Sequence, residues 1–95
     1  MITSFADKET KKVYNQQFSR KLPQAIQRIA LRKLMMLDAA ERLDDLRIPP
    51  SNHLELLHAD REGQHSIRIN AQYRICFVFD KERGNCSQVE IVDYH

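Results

Sequence analysis

The chain has no tryptophan and holds only two glycines, three prolines and two cysteines in 95 residues. Each scarcity closes off a class of protein. No G-x-x-x-x-G-K-[ST] or G-x-G-x-x-G stretch occurs, so a glycine-rich phosphate loop is excluded. The four histidines and two cysteines show neither a close i, i+4 histidine pair nor a C-x2-C spacing, so no metal site and no cofactor are expected. Low-complexity tracts and internal repeats are absent, which speaks against a linker, a tail or a solenoid. The longest apolar run, 30–37, is broken by Arg32 and Lys33, and no basic segment followed by an apolar stretch opens the chain. Neither a transmembrane span nor a signal peptide is therefore expected, and the expected compartment is the cytoplasm.

With 42% hydrophobic residues, a chain this short has enough apolar material for one core and not for two. One domain over residues 1–95 is expected. Cys76 falls in a strand-like run and Cys86 just beyond a turn expected at Arg83 and Gly84. In such a hairpin Cys76 faces roughly residue 91 and Cys86 roughly residue 81, too far apart to bridge. Cys76 reads as a small core residue.

Charge is unevenly divided. Residues 1–33 carry Lys8, Lys11, Lys12, Arg20, Lys21, Arg28, Arg32 and Lys33 against Asp7 and Glu9, a balance of +6 in a chain of net charge +2. Such a basic, helical segment can face a polyanion or serve as a solvated surface, and charge alone does not choose. Lys11, Lys12, Arg28 and Arg32 are the candidates for RNA contact within it.

Periodicity changes midway. Ile2 to Phe5 reads as a short extended start, and Asp7 as the cap of a helix to about Phe18. Pro23 suits the first position of a second helix, in which Ile26, Ile29, Ala30, Leu34 and Leu37 follow a helical spacing to about Ala40. Leu43 to Ser51, with Pro49-Pro50, must be extended. Leu54 to His58 is a short strand candidate, and Gly63 marks a turn. Gln64 to Asn70 alternates, with His65, Ile67 and Ile69 on one face and Ser66 and Arg68 on the other. Tyr73 to Phe79 is apolar like a central strand, and Gln88 to Tyr94 is the last strand with Val89 and Ile91 inward. A short N-terminal strand and two helices on an antiparallel sheet of about four to five strands is an α+β layout.

Three segments carry a family likeness: Arg47-Ile48-Pro49-Pro50-Ser51-Asn52, the block from Leu57 through Asp60-Arg61-Glu62-Gly63 to Ser66-Ile67-Arg68-Ile69-Asn70, and Val89-Glu90-Ile91-Val92-Asp93-Tyr94-His95. With Tyr73-Arg74-Ile75-Cys76-Phe77 among them, the carboxy-terminal half resembles the HigB, or plasmid-maintenance killer, branch of the RelE superfamily of bacterial toxins. The amino-terminal half agrees in plan only. The resemblance implies the RelE-like microbial RNase fold and a metal-independent endoribonuclease that cuts messenger RNA on the translating ribosome. It also implies a cognate HigA-like helix-turn-helix antitoxin. Site residues in this branch are a histidine or lysine before the D-R-x-G turn and the final Asp-Tyr-His, which here are His58, Asp93, Tyr94 and His95. Some members carry lysine at the position of His58 and a further histidine near that of Glu55.

RNA cleavage without a metal needs a base for the 2′-hydroxyl proton, cations for the phosphate charge and an acid for the 5′-oxygen. Histidine, tyrosine and arginine suit these tasks at neutral pH. Strand alternation puts Arg68 and Tyr94 on one exposed sheet surface, which Arg74 can join. We assign His95 to proton transfer, Tyr94 to base stacking or leaving-group contact, Asp93 to orientation and Arg68 to the scissile phosphate, with Arg61 and Arg74 as further RNA contacts. Each has a plainer alternative: Arg74 as ion-pair partner of Glu90, Asp93 as a brace of the fold, His65 as a satisfied structural histidine and His53 as a dispensable loop residue. For the whole chain the competing reading is a non-catalytic RNA- or protein-binding regulatory module. A transcription factor fits less well, since no recognition-helix pattern follows the second helix.

Overall fold

In a computed structural model, which describes residues 1–94, helix α1 (Lys8–Tyr14) and helix α2 (Gln24–Ala39) precede four strands. These are β1 (Glu55–Leu56), β2 (His65–Arg68), β3 (Tyr73–Asp80) and β4 (Asn85–Asp93). The sheet runs β1-β2-β3-β4 with every pairing antiparallel. This is the expected α+β layout of two helices on an antiparallel sheet.

The helices are shorter than their apolar patterns. Asp7 caps α1 by accepting a hydrogen bond from the Thr10 amide at 3.2 Å. The helix stops at Tyr14 and not near Phe18, because Gln16 turns to a positive φ of 62°. Pro23 stands one residue outside α2 as its cap. Along α2 the buried positions are Ile26, Ala30, Leu34 and Leu37, the helical stripe, together with Lys33. The stripe packs onto Ile67, Ile69, Ile75, Phe77, Val89 and Ile91 from the sheet.

The N-terminal segment is extended, but it joins the sheet by two isolated parallel bridges, Ile2 to Cys86 and Phe5 to Val89. Its amides and carbonyls occupy the outer edge of β4: Thr3 N donates to Cys86 O (2.8 Å), Ala6 N to Val89 O (2.9 Å) and Val89 N to Ser4 O (3.1 Å). Further along, the Ile91 amide donates to the buried Thr10 hydroxyl at 2.9 Å. That edge therefore offers no free template for another strand. Asp38 of α2 completes the corner by accepting from the Ile2 amide (2.8 Å) and the Tyr14 hydroxyl (3.0 Å).

The β3–β4 hairpin turns over residues 81–84, and Gly84 is required there. Its φ is +70°, and a Cβ would meet the Glu41 carbonyl oxygen at 2.5 Å. A bulge between Cys76 and Val78, where Gln88 adopts a φ of 52°, shifts the register by one residue. Because the turn spans four residues and not two, Cys86 faces Phe79 where residue 81 was expected, and after the bulge Cys76 faces Glu90 where residue 91 was expected. Both cysteines are buried and unbridged, and Cys76 lies on the sheet face away from the main core cluster.

Candidate functional site

The face of the sheet turned away from the helices is where the charges gather. On β2 and β3, Ser66 stands opposite Cys76 and Arg68 opposite Arg74. Past the end of β4, the Tyr94 ring lies under the Arg74 guanidinium, 5.9 Å from carbon to ring centroid. His53, Glu55, Arg68, Asn70, Arg74 and Tyr94 line one open groove of about 340 Å³. The sequence-predicted Arg68, Arg74 and Tyr94 are thus brought together.

Arg74 is fastened on every side. Its Nε donates to the Ser66 hydroxyl (2.9 Å), its Nη2 donates to the His53 carbonyl (2.7 Å), and the Glu55 carboxylate lies 3.6 Å away. Its side chain keeps only 13% of its exposure, against 53% for Glu55. The ion pair expected with Glu90 does not form. Glu90 instead takes Arg61 at 3.2 Å, an interaction shared with Gln64. Arg61 is therefore committed to an internal contact outside the groove lining. Arg68, half-buried, makes no ion pair or hydrogen bond among the described residues.

Two polar turns set the groove's walls. Between β2 and β3, the Asn70 side-chain oxygen accepts from the amides of Gln72 (2.8 Å) and Tyr73 (2.7 Å), an Asx turn that closes the connection. The Tyr94 amide then donates to the Gln72 carbonyl at 2.8 Å, which ties the end of β4 to this turn. Gln72 Nε2 also donates to Asp93 Oδ2 at 3.0 Å, so Asp93 braces the same corner.

On the other wall, Asn52 is fully buried. Its Nδ2 donates to the carbonyls of Leu46 (3.1 Å) and Ile48 (3.4 Å), and its Oδ1 accepts from the Lys33 ammonium. Burial lowers the pKa of Lys33, helped by neighbouring Arg32. Lys33 is accordingly no part of a basic surface. Lys12 is also partly neutralised, with Glu9 at 3.4 Å.

The remaining predicted residues lie elsewhere. His58 stands at the N-cap position of the 3-10 turn Ala59–Arg61 without a side-chain capping hydrogen bond and is exposed, outside the groove lining. His95 lies outside the described residues. His65 packs on the apolar side, stacked on Phe77 at 6.2 Å, but it is not the satisfied structural histidine expected, because its Nδ1 is buried without a hydrogen-bond partner among the described residues. His53 and Glu55 were not assigned to the site from the sequence. The signal available for Glu55 was the family's further histidine at that place. For His53 it was only the proline-rich segment before it, which bends the chain back over β2 and β3.

No group of three His, Cys, Asp or Glu among the described residues is arranged to hold a metal ion. No helix among them is long and apolar enough to cross a membrane. Comparison with known proteins gives three matches. Residues 3–95 match the family model for the RelE-like toxin of the type II toxin–antitoxin system HigB. The chain is 42% identical over 78 residues to Toxin HigB-1 of Vibrio cholerae serotype O1, covering 81% of this chain and 82% of that protein. It is also 42% identical over 65 residues to an uncharacterized protein of Haemophilus influenzae, covering 68% of this chain and 64% of that protein's length. A match over nearly the whole sequence, on a fold of two helices and a four-stranded antiparallel sheet, means that the chain belongs to the HigB family of RelE-like toxins of type II toxin–antitoxin systems.

Proposed function

We propose that this toxin is an endoribonuclease that cleaves translated messenger RNA on the ribosome without a metal ion, and so arrests growth. The observation that carries the reading is the cross-strand pair of Arg68 and Arg74. Like charges directly opposite destabilise a sheet. Arg74 is neutralised by Glu55 and its hydrogen bonds, whereas Arg68 has none of these and faces the same groove. A bound phosphodiester supplies the missing negative charge, and it does so most strongly as charge builds on phosphorus in the transition state.

In this reading the 2′-oxygen attacks phosphorus and the 5′-oxygen leaves. Arg68 holds the phosphate, and the Tyr94 ring receives a base or contacts the leaving group. Asp93 orients the chain end, and His95 and His58 are the proposed proton-transfer groups. Arg74 and Arg61 act chiefly by holding the site's shape. Lys11, Lys12, Arg28 and Arg32 are proposed to dock the protein on ribosomal RNA. The partner is proposed to be a HigA-like helix-turn-helix antitoxin from an adjacent reading frame, burying at least the roughly 1,200 to 2,000 Å² of a stable interface. The proposed compartment is the cytoplasm, and residues 1–95 act as one domain.

Primer extension on a translated message, with the toxin induced, tests the reading. Discrete cuts within codons are expected. An intact message in arrested cells would leave growth inhibition to a non-catalytic mode of binding.

A further inference from the structure

Among the described residues, His53 has a backbone held on both sides and a side chain that nothing uses. The segment before it is pinned by the buried Asn52, through Lys33 and the Leu46 and Ile48 carbonyls. The Asn52 and His53 amides donate to the carbonyls of Pro49 (2.9 Å) and Pro50 (3.0 Å). His53 itself sits in the left-handed region, with φ 46° and ψ 55°, and its carbonyl accepts from Arg74 at 2.7 Å. Few non-glycine residues adopt that conformation, and it persists where surrounding contacts over-determine it. The imidazole is exposed, lines the groove, and has no hydrogen bond or ion pair among the described residues.

Resting on the ribonuclease reading above, we infer that His53, which lines the groove, and not His58, which lies outside its lining, is the base that takes the 2′-hydroxyl proton. The lone pair of the neutral imidazole accepts that proton while the 2′-oxygen bonds to phosphorus and the P–O5′ bond breaks. The departing 5′-oxygen is protonated from the Tyr94 hydroxyl, the groove residue proposed for leaving-group contact. The products are a 2′,3′-cyclic phosphate and a 5′-hydroxyl end. Glu55, the other basic side chain of the groove, is less available because it faces Arg74. The charged and titratable groups around His53 are Glu55 of β1, Arg68 of β2, Arg74 of β3 and Tyr94. The structure thus supports the imidazole from behind, through its backbone, and leaves its ring to the substrate.

The experiment is cleavage of a translated message in a reconstituted translation system by the full chain and by His53→Ala. Binding of a 2′-O-methyl copy of the cleaved RNA and thermal unfolding are measured alongside. His53→Ala is expected to slow cleavage about 100-fold or more, to keep its melting temperature and its affinity for the uncleavable RNA, and to regain activity with added imidazole. The acidic limb of the pH–rate profile, where a base becomes protonated, should disappear in the variant. Cleavage by His53→Ala at the rate of the unaltered chain overturns the assignment. A loss matched by weakened RNA binding and not rescued by imidazole also overturns it, since that is the mark of a structural residue. If the unaltered chain leaves the message intact in the same system, the ribonuclease reading fails and this one with it. Cleavage by the unaltered chain with His53→Ala equally active removes His53 alone.

Discussion

On the sheet face turned toward the helices, Ile67 stands opposite Ile75. One residue further along the same two strands, on the other face, Arg68 stands opposite Arg74. The strands and their register are shared, so backbone structure cannot account for the difference between the faces. What differs is how each side chain finds a partner. The isoleucines are fully buried in one core cluster with Leu34 and Leu37 of α2, where close packing is its own satisfaction. The arginines depend on Ser66, the His53 carbonyl and Glu55, and those contacts go to Arg74 alone. A residue on the helix side does its work in the folded chain by itself. Arg68, on the groove side, has no such partner among the described residues, and the phosphate contact proposed above would supply one.

The sharpest way to test that contrast is to alter each face and read both stability and cleavage. Leu34→Ala empties a fully buried position beneath the sheet and is expected to lower stability by about 2–5 kcal/mol. Chemical denaturation measures it. The folded fraction that remains should cleave at the normal rate per molecule, and a proportionate loss of catalysis would mean that the two faces are coupled.

Arg68→Ala is the converse. Removing a positioned cation from a developing charge typically slows a reaction about 10²- to 10³-fold, while loss of an arginine whose side chain makes no hydrogen bond or ion pair among the described residues should move stability by no more than about 0.5 kcal/mol. Relief of the like-charge pair with Arg74 even favours a small gain. Message cleavage together with a melting curve decides this. A strongly destabilised Arg68→Ala protein would show that the side chain braces the sheet.

Much of the helix-side face was legible in the sequence because burial leaves a periodic trace. The stripe of Ile26, Ala30, Leu34 and Leu37 and the alternation of Ile67 and Ile69 both survive in the structure. The groove was legible in part. Arg68 and Tyr94 follow from strand alternation, which needs only local parity. The Arg74–Glu55 and Arg61–Glu90 pairings do not, because they depend on how a two-residue strand and a 3-10 turn are folded back over the sheet. Lys33 was misread for a related reason. Its position on the inner face of α2 was visible, yet a lysine there is expected to reach solvent, and only the fold of 48–53 brings Asn52 to it. The bulge at Gln88 left no sequence signal that would set the register of Cys76.

Lys33 and Asn52 lie between the two faces, and they offer a smaller test of how the core supports the groove. Asn52→Ala strands a buried ammonium and the buried Leu46 carbonyl, which is expected to cost about 1–3 kcal/mol. Adding Lys33→Met should recover part of that loss, since no buried charge then remains. A double-mutant cycle by urea denaturation should therefore show coupling of about 0.5–3 kcal/mol. Strict additivity would mean that the pair is not an energetic unit.

The smallest effect is expected at His65, whose strand carries both faces. Its ring is stacked on Phe77 and its Nδ1 is buried without a partner among the described residues. Burial pushes its pKa below the ordinary imidazole value, and Lys81 and Arg47 push it the same way. The unfolded chain then binds the proton more readily than the folded one, so stability rises with pH through the interval between the lowered value and about 6.5 and is lost as pH falls through it. Carboxylates held low by hydrogen bonds, such as Asp38 with the Ile2 amide, lose their contribution as pH falls from about 4 downward, which separates the two windows. His65→Phe keeps an aromatic ring against Phe77 and removes the titrating nitrogen. Its melting temperature should be nearly flat between pH 7.5 and 5.5, where the unaltered chain's declines, and both should fall together below about pH 4. Parallel curves across the upper interval would show that His65 does not set the acid sensitivity of the helix-side face.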